Sequence, residues 1–523
     1  MKTKNIIILT IIFIASLIAF FKFIGIYVEW IWFESVDYLE VYKTILFSKI
    51  GIGIASSIFF IVFTAINIYL AERIIKSNNK EYFKVIFGIV FFIGILYGAI
   101  ASRAYKTLLF YLNQTPFNIT DPLFGLDIGF YVFKLPFYHL ILNIFYSTII
   151  INLILLLLLY VIGLSISETP VFGTVYKIEN SILPLVPKGV SAHFSVLIGI
   201  LFILISISTY FAKYGLLNSE KGIVFGAGYT DIHARLPLLS ILMVVFIILA
   251  ILAFIYAIIN TRQKEIKLQT LLPKIAIFLL GISILVYIIY PAIIQAYLVE
   301  PNEIVKESPY IANNINYTLH GYGLDKVREK EYTLEYNLTA EDLSNNSMTV
   351  NNIRLWDWRP LMKTYGQLQE IRLYYTFKDI DVDRYNFQGK TQQVMISARE
   401  LSQNQLQSRA KTWINEHLVY THGYGVVANT VNEVTKEGLP QFIIKDIPPK
   451  SSVEISIDRP EIYYGEVDDV GYVVVNTRQE EFDYPMGDTN QYTRYAGTGG
   501  IKLSTLNKIA MTLKYGTLKF LLS

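Results

Sequence analysis

The sequence predicts a multi-pass α-helical membrane domain followed by a mixed α+β domain outside the membrane. Three observations predict it. Seven apolar runs, each close to or above the ~20 residues that a helix needs to cross a bilayer, fall before Leu298. From Val299 to Ser523 the chain turns polar and carries short alternating segments. Finally, 53% of the residues are hydrophobic and only 17% charged, too little charge to cover the surface of a soluble protein of this length. The division falls at the last apolar run, so residues 1–298 are expected in the membrane and 299–523 outside it.

Composition narrows the chemistry. A net charge of +3 gives no electrostatic footprint for nucleic acid. The chain has no cysteine, which excludes disulfides, thiolate metal sites and a cysteine nucleophile.

The first run, 6–27, follows the basic leader MKTKN and is too long for a signal peptide, with no A-x-A-like site behind it. It reads as an uncleaved span, and Trp30, Trp32 and Phe33 suit an interfacial aromatic belt. The others are 46–71, 85–101, 139–162, 194–211, 238–259 and 271–297. An odd number of spans puts the two ends of the domain on opposite sides. Lys and Arg concentrate in the loops before the third and seventh spans, at Arg73, Lys76, Lys80 and Lys84 and at Arg262, Lys264, Lys267 and Lys274. The positive-inside bias then predicts a cytoplasmic N-terminus, an extracytoplasmic C-terminal domain and a plasma-membrane location. Ionisable groups, which mark ion and proton pathways, are scarce in the runs. Lys22 lies near an end, and Asn67, Asn143 and Asn152 are neutral. Helices that anchor and pack are expected rather than a transporter or channel.

Two loops are richer. Residues 113–137, NQTPFNITDPLFGLDIGFYVFKLPF, are dense in aromatics and broken by three prolines, as expected of a segment lying along the interface. Residues 222–237, GIVFGAGYTDIHARLP, set Tyr229, Thr230, Asp231 and His233 beside glycines that permit tight turns. Asp231 and His233 are an acid–base candidate, and the same cluster also reads as a tie between loops.

These loops resemble a known group of proteins. DPLFGLDIGFYVFKLPF, GAGYTDIHARLP, QAYLVEPNEIVKESPYIANNI, LWDWRP, YYTFKDIDVDRY, YTHGYGVV, RPEIYYGE and YAGTGGIKL are together similar to a large uncharacterised family of prokaryotic integral membrane proteins. The resemblance runs over nearly the whole chain. It implies about seven N-terminal spans and a long extracytoplasmic domain, and it brings no catalytic residues. Its members run on for several hundred residues more. LNKIAMTLKYGTLKFLLS stays apolar to the last residue, where a free terminus is ordinarily polar, so the sequence reads as a fragment whose outer domain is incomplete.

The outer half starts with an irregular exit leading to a short helix. Strands are expected at 331–338, 371–377, 393–397, 442–446, 453–457 and 471–476. One helix is expected after a capping box of Ser397 and Glu400, with Leu406, Ala410, Trp413, Ile414 and His417 on one face. Asp379, Asp381 and Asp383 alternate and would share a strand face. Such a face would suit a hard cation or, equally, would be a solvated surface paired with Arg372 or Arg384. It is no EF-hand, since Arg384 and Lys390 stand where the turn glycine and bidentate glutamate belong. His417 and His422 lie five apart near Glu416, a zinc candidate without any strong spacing or else a pair of hydrogen-bonded turn histidines. Trp356, Asp357, Trp358 and Arg359, with Tyr365, Arg372, Tyr374 and Tyr375, would form a binding surface for a sugar, peptide or partner if exposed and a core edge if buried.

The sequence thus predicts a non-enzymatic envelope protein whose outer domain binds an envelope component or a partner protein, without a cofactor. The bilayer is its first partner, and self-association is the second expectation. A membrane-anchored enzyme acting on lipid or cell-wall material, and a transporter or channel component, are the alternatives.

Overall fold

The computed structural model describes residues 3–75, 80–166, 187–261, 268–334, 336–467 and 469–522. In chain order the helices are α1 (Thr3–Ser35), α2 (Leu39–Ile75), α3 (Lys80–Ala101), α4 (Tyr105–Leu112), α5 (Leu135–Ile166), α6 (Lys188–Ala212), α7 (Leu236–Thr261), α8 (Leu268–Ile294), α9 (Glu303–Gly321), α10 (Ala340–Asn345), α11 (Ser347–Val350), α12 (Trp358–Gln369), α13 (Thr505–Tyr515) and α14 (Lys519–Leu522). Among the described residues seven helical stretches are long and apolar enough to cross a membrane. They coincide with the seven runs in the sequence, and the chain is a multi-pass membrane protein.

The chain divides into two compact units, Glu40–Glu329 and Met1–Leu39 with Lys330–Ser523. The first holds α2 to α9. Its helices approach closely through small residues, the usual device where lipid removes the hydrophobic drive for association. At Gly98 a Cβ would sit 1.9 Å from the Ser57 Oγ and 2.2 Å from the Gly53 carbonyl oxygen, so only glycine allows α2 and α3 to cross there. Ser57 donates to the Gly94 carbonyl at 2.8 Å beside the crossing. Polar side chains tie other spans. Asn152 donates to the Thr64 hydroxyl at 2.9 Å, Tyr97 to the Ile144 carbonyl at 2.7 Å and Ser206 to the Met243 carbonyl at 2.9 Å. After α8 the backbone runs through a π turn at Gln295–Val299 and a 3-10 turn at Glu300–Asn302 into α9.

The second unit is built on a six-stranded antiparallel sheet of β1 (Tyr375–Phe377), β2 (Asp381–Phe387), β3 (Lys390–Leu401), β5 (Val426–Val434), β6 (Pro440–Lys445) and β7 (Lys450–Ser451). Two further pairs are β4 (Gly423–Tyr424) with β8 (Glu461–Ile462) and β9 (Glu481–Met486) with β10 (Thr489–Thr493). β1 and β2 pair successive stretches of β3. Gln388 and Gly389, both at positive φ, form the two-residue turn that fixes the β2–β3 register. α12 covers the sheet with Leu361 and Tyr365, fully buried against Phe377, Met395, Val427 and Val431. α1 belongs to this unit. Phe13, Leu17, Phe20, Phe21 and Phe23 are exposed, while Ile24, Val28 and Ile31, at the i, i+4, i+7 spacing of one helix face, are buried against Val474, Ala510, Met511 and Phe520.

The polar half departs from several sequence expectations. Ser397 and Glu400 do not cap a helix. They lie in β3, where Ser397 donates to the Asp379 carbonyl and Glu400 accepts from the Val467 N–H at 2.7 Å. The ladder with β1, β2 and β5 outweighs the local capping pattern. The 406–417 helix is replaced by short 3-10 turns and a π turn at Asn415–Val419. No strand forms at 453–457 or 471–476, or in the described part of 331–338. Val453, Ile455 and Ile457 still pack against Ile443 and Ile444, so their alternation reports burial without a ladder.

Candidate functional site

In the helical unit three of the motif-bearing segments meet on α9. The 219–230 loop turns at Gly226, whose φ of +128° favours glycine, and its N–H donates to the Ser219 carbonyl at 2.8 Å. Two residues on, a Cβ at Gly228 would meet the Glu307 Oε2 at 3.0 Å. That open approach lets the Tyr229 N–H donate to both Glu307 carboxylate oxygens at 3.1 Å. Glu307 is buried, and a buried carboxylate is stable only with such partners. Further along α9, Asn314 donates to the Phe225 carbonyl at 2.7 Å and Tyr317 to the Thr120 carbonyl at 2.6 Å. Thr230 donates to Gln295 Oε1 at 2.6 Å.

Asp231 and His233 face different partners. Asp231 is buried, accepts from the Gly228 N–H at 3.3 Å and is paired with Arg235 one turn on. His233 stacks on Tyr229, 4.1 Å between rings, and its Nε2 lies 3.4 Å from the Tyr310 hydroxyl. Lys306 sits 5.0 Å above the other ring contact, Tyr229. Tyr229, Thr230, Asp231 and His233 therefore hold the loop to α9 and to the start of α7.

The 113–129 loop spends its acids in the same way. Asp121 accepts from the N–H groups of Leu123, Phe124 and Leu126 and from the Tyr131 hydroxyl. Asp127 accepts from the N–H groups of Phe117, Asn118 and Gly129. Beside them Tyr214 packs among Phe124, Phe130 and Tyr210. Burial, with the Tyr210 hydroxyl next, pushes its phenol up to about 12.

In the second unit Asp381 and Asp383 stand on β2, exposed and on one face, while Asp379 precedes the strand. Asp383 accepts from the adjacent Arg384 N–H at 2.7 Å. His417 and His422 are separate. His417 stacks on Tyr472 at 4.2 Å, and its Nδ1 is 2.9 Å from the Tyr472 carbonyl. His422 is fully buried beside Glu481. The Glu481 carboxylate accepts from the Thr421 hydroxyl at 2.7 Å, the Tyr463 hydroxyl at 2.9 Å, the Tyr495 N–H at 3.0 Å and the Asn476 N–H at 3.2 Å. The Thr421 hydroxyl proton is thereby engaged, so His422 Nδ1, 3.0 Å away, is the donor to its oxygen. His422 Nε2 then faces Asp483 Oδ1 at 3.5 Å, and these two atoms and Glu461 Oε2 are buried without a hydrogen-bond partner. Among the described residues no three His, Asp or Glu side chains are arranged to hold a metal ion. Of the aromatic constellation, Tyr365 and Tyr375 are fully buried, whereas Trp358 is half-exposed under Arg359, 5.4 Å from its ring.

Sequence reasoning missed a third cluster. Asn67, Tyr160 and His193 are buried together in the helical unit, and the order of donors is fixed. Asn67 donates to the Phe63 carbonyl at 2.7 Å, so its oxygen accepts from His193 Nε2 at 2.9 Å. His193 Nδ1 therefore accepts from the Tyr160 hydroxyl at 2.8 Å. A neutral imidazole satisfies every group. His193 stands one residue before the apolar run at 194–211, which is why it escaped notice.

Residues 6–523 match the model of a family described as "Uncharacterised protein family (UPF0182)". A relative from Desulforamulus reducens is 40% identical over 532 residues, covering 95% of this chain and 55% of its own length. One from Methanospirillum hungatei is 37% identical, over 97% of this chain and 57% of the relative. A third, from Geobacter sulfurreducens, is 36% identical over 100% of this chain and 58% of the relative. The chain thus spans about half the length of the curated relatives it matches. No solved structure matches it. With seven membrane-crossing helices and the loop motifs gathered on α9, the chain belongs to the uncharacterised protein family UPF0182.

Proposed function

We propose that this is an envelope-associated binding or scaffold protein of the plasma membrane, with its N-terminus in the cytoplasm and its polar unit outside. One observation carries the binding role. Tyr332, Leu334, Tyr336 and Leu338 are 84%, 66%, 94% and 73% exposed, and the described residues of 331–338 are in neither helix nor strand. Large apolar side chains left exposed along one segment mark an interaction surface, and a segment outside helix and strand is free to add as a strand to a partner's sheet edge. The polar clusters within each unit support the same reading, since Glu307, Asp231, Glu481 and His417 have their hydrogen bonds spent on holding segments together. The orientation draws support from α1, whose far end packs on α13, so the outer unit stands at the end of α1 opposite the N-terminus.

The test is a photo-crosslinking residue at Tyr336, activated in intact cells. A discrete adduct with an envelope component, lost in Y332D/L334D, is the expected result. Adducts with bulk lipid alone would overturn the reading.

A second reading, a membrane-anchored enzyme acting on lipid or cell-wall material, has the orphaned His422, Asp483 and Glu461 atoms in its favour. Buried polar atoms without partners are uncommon and call for an explanation. H422Q that leaves cell-wall and lipid composition unchanged would remove it.

A further inference from the structure

Between α5, α6, α7 and α8 the helical unit holds a half-open cavity of about 640 Å³. Its walls are apolar, with Val161, Phe194, Phe202, Leu252, Ala276 and Leu280 representative, and its hydroxyls come from Tyr160, Ser191, Ser195 and Tyr256. We propose that this cavity holds one acyl chain of an anionic membrane phospholipid, with the phosphate at the level of Lys188 and Lys274.

Four features carry the assignment. The walls belong to membrane-crossing helices, so hydrocarbon is the medium against which the cavity must be filled. A void of this size left empty would forfeit the dispersion contacts of its whole lining, and an apolar one of this kind stays dry.

Two of its four hydroxyls already have partners. Tyr160 gives its proton to His193, which is held in turn by Asn67. Ser195 donates to the Ser191 carbonyl at 2.7 Å. A sugar, peptide or ion entering here would lose its hydration and find few partners, whereas an alkyl chain needs none.

The depth is that of a single leaflet. Lining residues run from Val190 to Phe202 on α6, about 18 Å at 1.5 Å per residue, and from Leu272 to Leu280 on α8, about 12 Å on the same rise. A bilayer's hydrocarbon core is about 30 Å thick, so the cavity takes the tail of one lipid and does not open a path across.

The charge at its mouth selects the headgroup. All four helices present the same end to the cavity, the end of α5 and α7 and the beginning of α6 and α8. Pro187 and Pro273 line it there, and each is followed directly by a lysine, Lys188 and Lys274. Lys274 is exposed. Cationic side chains between spans at headgroup depth attract anionic lipid.

The test uses the full chain, extracted in mild detergent and examined by native mass spectrometry after exchange with phosphatidylglycerol or phosphatidylcholine of identical chains. The wild-type protein is expected to retain one phospholipid per chain, with phosphatidylglycerol preferred. A253F/A276F, which fills the cavity, is expected to lose it. K188E/K274E keeps the cavity and is expected to lower the preference for phosphatidylglycerol by roughly fivefold per lysine. It carries the test should the phenylalanine variant fail to fold. Retention by A253F/A276F equal to wild type, or a headgroup preference unmoved by K188E/K274E, would overturn the proposal.

Discussion

The hydroxyl of Tyr27, on the first membrane-crossing helix, donates to the side-chain oxygen of Asn507 at 2.8 Å, joining residues 480 apart in sequence. The apolar stripe of Ile24, Val28 and Ile31 continues the seam against Ala510 and Met511. One helix is therefore lipid-facing along Phe13–Phe23 and part of a protein core from Ile24 onward.

Replacing Val28 by Asp places a carboxylate in that seam with no partner. A buried polar group without compensation costs about 1–3 kcal/mol by mutational measure, and more when charged. V28D is expected to lower the thermal midpoint of the full chain and expose 505–515 to protease. Y27F loses one hydrogen bond, about 1 kcal/mol, and F21L at an exposed position is the neutral control.

The absence of cysteine makes sidedness directly measurable. Single cysteines at Thr489, the first residue of β10, and at Lys274 would be the only thiols. In intact cells a membrane-impermeant maleimide is expected to label T489C and spare K274C, with both labelled after permeabilisation. Labelling of K274C alone would invert the proposed orientation.

The seven spans were legible because each is an uninterrupted apolar run, and hydrocarbon imposes that requirement residue by residue. The outer unit was harder to read, because its order comes from partners far away. Ser397 and Glu400 spell a capping box, yet β3 pairs Ser397 with Val427 and Glu400 with Thr376, and no local pattern announces either pairing. The loop at Tyr229–His233 was legible as a cluster, but its partner Glu307, 78 residues on, was not. His193 was hidden by a boundary drawn one residue too late.

The tie between Tyr229 and Glu307 predicts a local effect. E307L removes the acceptor of a backbone N–H that has no strand or helix partner, at a cost of about 1–3 kcal/mol. Hydrogen exchange at Tyr229 and at residues 225–230 is expected to quicken, with the sheet of the outer unit unchanged. G228A pushes a Cβ against the same carboxylate and is expected to act in the same direction with smaller size.

Asp127 predicts a pH dependence. Burial disfavours its charge, but the N–H groups of Phe117, Gly129, Asn118 and Ile119 outweigh that and hold its pKa below the ordinary 3.8. A carboxyl depressed in the folded state stabilises it fully above its unfolded value. That contribution is lost as pH falls through the folded one. Exchange protection at Asn118 and Gly129 is expected to persist at neutral pH and to fail on acidification below the ordinary value. D127N should show weak protection at both.

Arg399 is the largest fully buried side chain of the outer unit, and burial lowers its pKa to about 10, with Tyr375 and Asp446 opposing. Its guanidinium donates to the Gln369 carbonyl at 2.8 Å, the Gln369 Oε1 at 3.2 Å and the Tyr424 carbonyl at 2.9 Å. These bonds join α12, β3 and β4. R399M keeps most of the volume but leaves the Gln369 and Tyr424 carbonyls unmatched, at a cost of about 1–3 kcal/mol each, while Gln369 Oε1 keeps the Asp446 N–H at 2.8 Å. R399K retains the charge, yet a lysine presents no planar fork able to reach Gln369 and Tyr424 together. It is expected to rescue little of that loss in thermal unfolding of the full chain. Full rescue by lysine would mean that charge alone, and not the fork, holds the three elements together.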